Sequence, residues 1–282
     1  MEKIAHRIEK FSPRIFEKTP LERDQIVYIP KFLHHASLPK KLENIGEWKR
    51  SLLHRTYTIL SPSHIGVPGG AYSRLILIHI NTLAKRQKRP NISIGSTYAE
   101  FMQNIGLYPS GGRTGNIASF KEHFIRCINC VVHSESATGN TTEYSMTTVV
   151  NRATVQQKSD WDWSAELTLS DAFFRESQNS APTDIGALLC LSPGTLRMDV
   201  FNFLVSRLFF LKAETIIPWQ ELKNMFASPS ITNKGFKQNF NIALTQALSF
   251  YPDARVSTNS RGLVLRPSRI CLLYTSDAAD DW

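Results

Sequence analysis

The sequence predicts an α+β protein built from two tandem winged-helix domains, each a helix-turn-helix followed by a β-hairpin wing. Two observations carry that expectation. The order helix, strand, helix, turn, helix, hairpin occurs twice along the chain, without obvious sequence identity between the copies. Charge divides the same way: residues 71–130 carry 8 basic and 2 acidic side chains, residues 161–190 carry 1 and 5, and residues 191–270 carry 10 and 4. Two basic blocks flanking an acidic stretch suit two nucleic-acid-binding modules joined by a connection.

The first block opens on the turn signal Gly66-Val67-Pro68-Gly69-Gly70. From Tyr72 to Lys85, Leu75, Ile76, Ile80 and Leu83 recur at helical spacing, and Pro90 stops the run. Ile92-Ser93-Ile94-Gly95 is long enough for one short strand. Ser96 can cap a second helix carrying Phe101, Met102 and Ile105, which Gly106 closes. After the turn Pro109-Ser110-Gly111-Gly112, a third helix puts Ile117, Phe120, Phe124 and Ile128 on one stripe. Val131 to Ser136 and Thr141 to Val150 read as a hairpin around Gly139-Asn140, the expected first wing.

The second block repeats the order. Thr195 to Leu211 is helical, with Val200, Phe203, Leu204 and Leu208 in register. Thr215-Ile216-Ile217 is a short strand, and Pro218 stands where a helix over Trp219 to Phe226 begins. Lys234 to Tyr251 forms the third helix, with Phe236, Phe240, Ala243, Leu244 and Ala247 inward. Arg255-Val256-Ser257 and Leu263-Val264-Leu265 face each other across Asn259-Ser260-Arg261-Gly262 as the second wing. The expected organisation is an unassigned N-terminal segment over 1–54, a first winged helix over 55–160, an acidic connection over 161–192 and a second winged helix over 193–270.

Composition bounds what such a chain does. The 282 residues are 42% hydrophobic and 20% charged, with 16 Phe and 8 Tyr, which opposes extensive disorder. The net charge of +9 favours a polyanionic partner. Apolar runs as short as Leu75-Ile76-Leu77-Ile78 cannot span a bilayer, and Met1-Glu2-Lys3-Ile4-Ala5-His6-Arg7 contains no apolar signal core. Cysteines at 127, 130, 190 and 271 are too few for a disulfide framework. The expectation is a cytoplasmic protein with no membrane partner. Cys271 to Asp280 resembles the translation of a transposase-type sequencing adaptor, so 271–282 is read as a non-native tail. Those twelve residues carry three Asp and no Lys or Arg, so without them the net charge becomes +12.

The candidate binding residues follow from the helix faces. With the 117–128 stripe inward, Gly115, Ser119, Glu122 and Arg126 are expected to face out, with Arg113 at the helix start near free N–H groups that favour an anion. The third helix of the second block exposes Lys234, Gln238, Asn241 and Thr245, flanked by Ile242. From a major groove, Gln and Asn bond bidentately to adenine and Lys reaches guanine. Arg261 at the second wing tip, with Arg255 and Arg266 on its strands, suits phosphate or minor-groove contact.

Other chemistries fit poorly. Gly111-Gly112-Arg113-Thr114-Gly115 lacks the Gly-Lys-Ser/Thr ending of a nucleotide-binding P-loop. His123, Cys127, Cys130 and His133 invite a zinc reading, but the first three lie along one helix, where Cys127 and Cys130 fall at the buried stripe. His34 and His35 are consecutive, so in a strand they would point to opposite faces and could not serve a nicking enzyme together. The sequence is therefore read as binding without catalysis, and no metal or cofactor is expected.

Longer motifs now identify a relationship. Gly66-Val67-Pro68-Gly69-Gly70-Ala71-Tyr72-Ser73-Arg74-Leu75-Ile76-Leu77 resembles the opening of the RepA-type plasmid replication initiators, as does the run from Glu100 to Arg113. Leu167-Thr168-Leu169-Ser170-Asp171-Ala172-Phe173-Phe174 and Tyr251-Pro252-Asp253-Ala254-Arg255-Val256 resemble later blocks of that family, so the likeness runs over residues 28–269. Thr114 departs from it, standing where the family has a bulkier residue. The resemblance implies initiation of plasmid replication on double-stranded origin DNA, with host replication proteins (a helicase or initiator) as partners. A transcriptional repressor is the alternative within the same fold, and a rolling-circle nicking enzyme the alternative from another class. Two different recognition helices on one chain imply direct repeats, whereas a homodimer through the first domain would read an inverted repeat.

Overall fold

In a computed structural model, residues 23–112, 114–157, 163–227 and 230–269 are described; the tail over 271–282 lies outside them. The architecture is α+β, with eight helices and four antiparallel sheets among these residues.

Strand β1 (Ile26–Ile29) comes first, then the hairpin of β2 (Glu47–Leu52) and β3 (Arg55–Leu60), which straddles the expected 54/55 boundary, and helix α1 (Gly70–Gln87) follows. The stripe read from Leu75, Ile76, Ile80 and Leu83 understates α1, because Leu77, Ile78, Asn81 and Thr82 are buried as well. A helix covered nearly all round is a central one. It also completes the hydrogen bonding of β1: Tyr28 N–H donates to Thr82 Oγ1 and Asn81 Nδ2 donates to the Tyr28 carbonyl, each at 2.9 Å.

Strand β4 (Asn91–Ser93), α2 (Tyr98–Asn104) and α3 (Ile117–Ile128) come next, in the expected order. The α2 cap is Thr97 rather than Ser96; its side chain accepts from Glu100 N–H, while the Glu100 carboxylate accepts from Ser96 N–H at 2.7 Å. The hairpin β5 (Val131–Thr138) and β6 (Thr141–Thr148) forms around Gly139-Asn140, but it is not the wing. β5 pairs with β3, giving a sheet in the order β2-β3-β5-β6.

The wing strands are instead β7 (Val150–Gln157) and β8 (Trp163–Leu169), which join β4 in the order β4-β8-β7. The physical reason is the apolar face of β8. Trp163, Ala165, Leu167 and Leu169 alternate along it and are all buried. Trp163 stacks on Tyr98 at 3.9 Å and meets Phe124 edge-on at 5.3 Å, closing the sheet over α2 and α3.

Beyond β8, the stretch expected to connect the two modules holds α4 (Asp171–Gln178), β9 (Ala181–Asp184) and α5 (Ile185–Leu191). β9 pairs with β1, from Ile26↔Asp184 to Ile29↔Ala181. The second module then runs α6 (Thr195–Phe210), β10 (Thr215–Pro218), α7 (Trp219–Phe226), α8 (Asn233–Leu248), β11 (Val256–Thr258) and β12 (Gly262–Leu265). Its sheet has the order β10-β12-β11, the winged-helix arrangement expected. Buried side chains from both modules form one contiguous core.

Candidate nucleic-acid interface

α8 is built to present a face. Thr232 caps it, its side chain accepting from Gly235 N–H, and Phe236, Phe240, Ala243, Leu244 and Ala247 hold it against the core. Lys234, Gln238, Asn241 and Thr245 are all exposed, at the spacing that puts them on one side of a helix. The Thr245 hydroxyl donates to the Asn241 carbonyl at 3.0 Å. The side-chain amides of Gln238 and Asn241 make no hydrogen bond to another described residue, so both edges are available. Ile242, 53% exposed, flanks them. Lys237, held with its Nζ 5.2 Å from the Trp219 ring, adds a cation at the shoulder of the face that the sequence reading did not single out.

The second wing is clamped to the start of α7. Asn259 Oδ1 accepts from Arg261 N–H at 2.9 Å and Gly262 N–H at 3.0 Å, and Trp219 Nε1 donates to the Asn259 carbonyl at 2.9 Å. Only glycine fits at 262, because a Cβ there would strike the Ile217 carbonyl. Arg261 is thereby held at the tip with its side chain exposed, and Arg255 is exposed just before β11 rather than on it. Arg266 is exposed too, but its guanidinium is engaged by Glu214 at 2.8 Å and Ser257 at 3.2 Å.

On α3 the departure from expectation is Arg126. Ser119 and Glu122 are exposed on α3, whereas Arg126 is buried and does not face out. Its NH1 donates to the Glu43 carbonyl at 2.8 Å, and its NH2 to Asn44 Oδ1 at 2.6 Å and to Glu122 at 2.7 Å. Gly66, at φ +83°, permits this, since a Cβ there would collide with the Arg126 guanidinium. Arg126 is an anchor between α3 and the N-terminal segment. Arg113 lies outside the described residues. The loop before α3 is a turn tied by Asn116, whose Oδ1 accepts from Ser110 N–H at 2.8 Å.

The relocated wing supplies a group that the sequence reading missed. Arg152 on β7 is exposed and, with Arg89, Asn91 and Thr154, lines an open depression of about 480 Å³ on the outer face of β4-β8-β7. The alternation of Trp163, Ala165, Leu167 and Leu169 was the signal that could have located this wing.

The four residues of the zinc reading are spent on packing. His123 Nδ1 meets Ser73 Oγ at 2.9 Å, and burial lowers its pKa to about 4. The Cys127 thiol donates to the Ser73 carbonyl and the Cys130 thiol to the Cys127 carbonyl; burial raises Cys130 to about 12. His133 faces Tyr144 across β5 and β6, with ring centroids 6.0 Å apart.

Residues 67–221, more than half of the chain, match the family described as the plasmid encoded RepA protein. No curated protein matches significantly. Among solved structures, the chain is similar to the crystal structure of RctB domains 2 and 3. It shares 11% identity with that chain at a TM-score of 0.52, over 83% of this chain and 93% of that one. A selenomethionine derivative of the same two domains gives 12% identity and a TM-score of 0.51, over 84% and 96%. At such identity the likeness is one of fold.

Proposed function

The chain belongs to the plasmid-encoded RepA protein family of plasmid replication initiators, and from that premise we propose that it binds double-stranded origin DNA through both winged-helix modules, promotes origin opening and recruits host replication proteins in the cytoplasm. The observation that carries this reading is the face of α8, where Lys234, Gln238, Asn241 and Thr245 stand exposed on a capped helix beside a clamped wing. Groups of this kind read base edges when the helix enters a major groove. Arg255, Arg261 and Arg266 hold the phosphates, and Ser119 with Arg113 does the same for the first module. Arg152 joins them on the relocated first wing. The protein acts here by binding, with no catalytic step.

Two modules reading from the same side of a duplex engage major grooves one turn apart, ~34–36 Å or ~10–10.5 bp. Their outward residues differ, so the preferred site is a direct repeat of roughly 20 bp with unlike halves. Footprinting the protein on the DNA that flanks its gene tests this. Protection of tandem repeats of that length is the expected result; protection of a palindrome alone would point to a repressor instead.

A further inference from the structure

A cavity of about 700 Å³ lies between the two modules and shares no lining residue with α8 or either wing. It is lined by the turn around His34 and His35, the β2–β3 tip, the β5–β6 tip, α4 and the C-terminal part of α6. Its charge is one-sided. Lys31, Arg55, Arg175 and Arg207 line it against a single carboxylate, Glu176, and none of the four cations is in an ion pair with a described residue. The cations converge on one ring: burial lowers the pKa of His35 to about 4, and repulsion from Arg55, Arg207 and Lys31 adds to the effect.

Two polar atoms in this lining lack hydrogen-bond partners among the described residues. His34 is only 8% exposed and its Nε2 has no hydrogen bond, and neither has the buried Nε of Arg207. A buried polar group left unpaired is costly, so two of them, beside four cations with no ion-pair partner among the described residues, call for a partner that the described fold does not supply. Apolar surface completes the lining, with Phe203 and Phe210 from α6 and Leu52 and Leu53 from the hairpin. A concave site of this size, mostly apolar with a few convergent polar groups, is what small-molecule sites have in common.

We propose that this cavity binds a small organic phosphate, its phosphoryl oxygens taken by the Arg55, Arg175 and Arg207 guanidiniums and Lys31, and its body resting on Phe210 and Leu53. Phosphate suits the lining better than a lone carboxylate. It brings at least three acceptor oxygens and close to two negative charges, and guanidinium forks bind such oxygens in pairs. Two sources share that chemistry, a free nucleotide and the terminal phosphate of a DNA strand.

Calorimetric titration of the full chain separates them, using pyrophosphate, ATP, a 5′-phosphorylated oligonucleotide with its unphosphorylated counterpart, and an acidic peptide. Binding of pyrophosphate and ATP assigns a free small molecule. Binding of the phosphorylated oligonucleotide alone assigns a DNA end. Arg55 and Arg175 are exposed, so Arg55→Ala/Arg175→Ala should fold, as its circular dichroism will report, and should weaken phosphate binding about tenfold or more. Binding to origin repeats in the absence of the phosphate should not change. Phosphate compounds that fail to bind at about 5 mM, binding indifferent to the double substitution, or an acidic peptide bound as tightly as ATP would each overturn the assignment.

Discussion

Arg74 and Asp199 form a two-point ion pair in the core: Arg74 Nε meets Asp199 Oδ1 and NH2 meets Oδ2, both at 2.7 Å. The pair joins α1 of the first module to α6 of the second. The other Arg74 N–H groups donate to the carbonyls of Pro39, Gly70 and Leu38, so all five guanidinium donors are used. Burial pushes the Asp199 carboxyl up and Arg74 draws it back down. With every donor satisfied and the fork geometry complete, the ionised pair is the state that fits.

Asp199→Ala leaves a buried guanidinium uncompensated and should cost about 3–5 kcal/mol. Urea unfolding of the variant should show a midpoint shifted by that amount. A loss below about 1 kcal/mol would mean that the pair contributes no more than an exposed one.

Stability should fall as the solution is acidified below neutrality. Burial lowers the pKa of His34 to about 3, and of His35, His79 and His123 to about 4, against an ordinary 6.5. These rings are neutral in the folded chain, so the unfolded chain takes up protons first. Their contribution is intact above pH 6.5 and is lost as pH falls toward 4. Each histidine adds up to ~1.4 kcal/mol per pH unit within that window. Urea titrations at pH 7, 6 and 5 will measure the slope; equal midpoints at all three would contradict the burial of these rings.

Gln238→Ala or Asn241→Ala should lower affinity for the cognate repeat by ~1–3 kcal/mol and for random DNA much less. Competition binding at fixed salt measures both. Equal losses on the two DNAs would reduce these amides to backbone contacts.

Arg126→Ala should act on stability rather than recognition. It strands the Glu43 carbonyl and Asn44 and loosens α3 from the N-terminal segment, at a cost of about 2–4 kcal/mol. At a temperature where the variant remains folded, its affinity for origin DNA should match that of the parent chain; a specific loss there would return Arg126 to the interface.

What the sequence revealed and what it hid separate along chain distance. The third helices were legible because their stripes, Phe120 and Phe124 or Phe236 and Phe240, are local and periodic. The second wing was legible because its turn, Asn259 to Arg261, lies between its own strands and Gly262 opens the second of them. The first wing was misplaced because β8 is selected by β4, with Ile92 opposite Leu167, seventy-five residues away. Arg126 was misread for the same reason, since its acceptors at Glu43 and Asn44 precede it by more than eighty residues. The β2–β3 hairpin left no turn signal at all. Its corner is Leu53, a non-glycine residue at φ 54° whose N–H donates to Glu221 of α7 at 2.7 Å. Distant support makes that conformation affordable, and a local reading cannot see it.

The pairing of β1 with β9 also sets a clock. Ile26–Ile29 are all buried in the finished protein, yet their partner strand, Ala181–Asp184, is made about 150 residues later. At ~5–20 residues per second, the ribosome leaves this apolar strand without its mate for roughly 8–30 s. α1 emerges early and can shelter one side of it through Thr82 and Asn81. The other edge stays open for pairing with whatever strand it meets, another nascent chain included. The N-terminal module therefore cannot mature until Ala181–Asp184 has been made, and a chain released before Asp184 is an aggregation hazard rather than a free-standing domain.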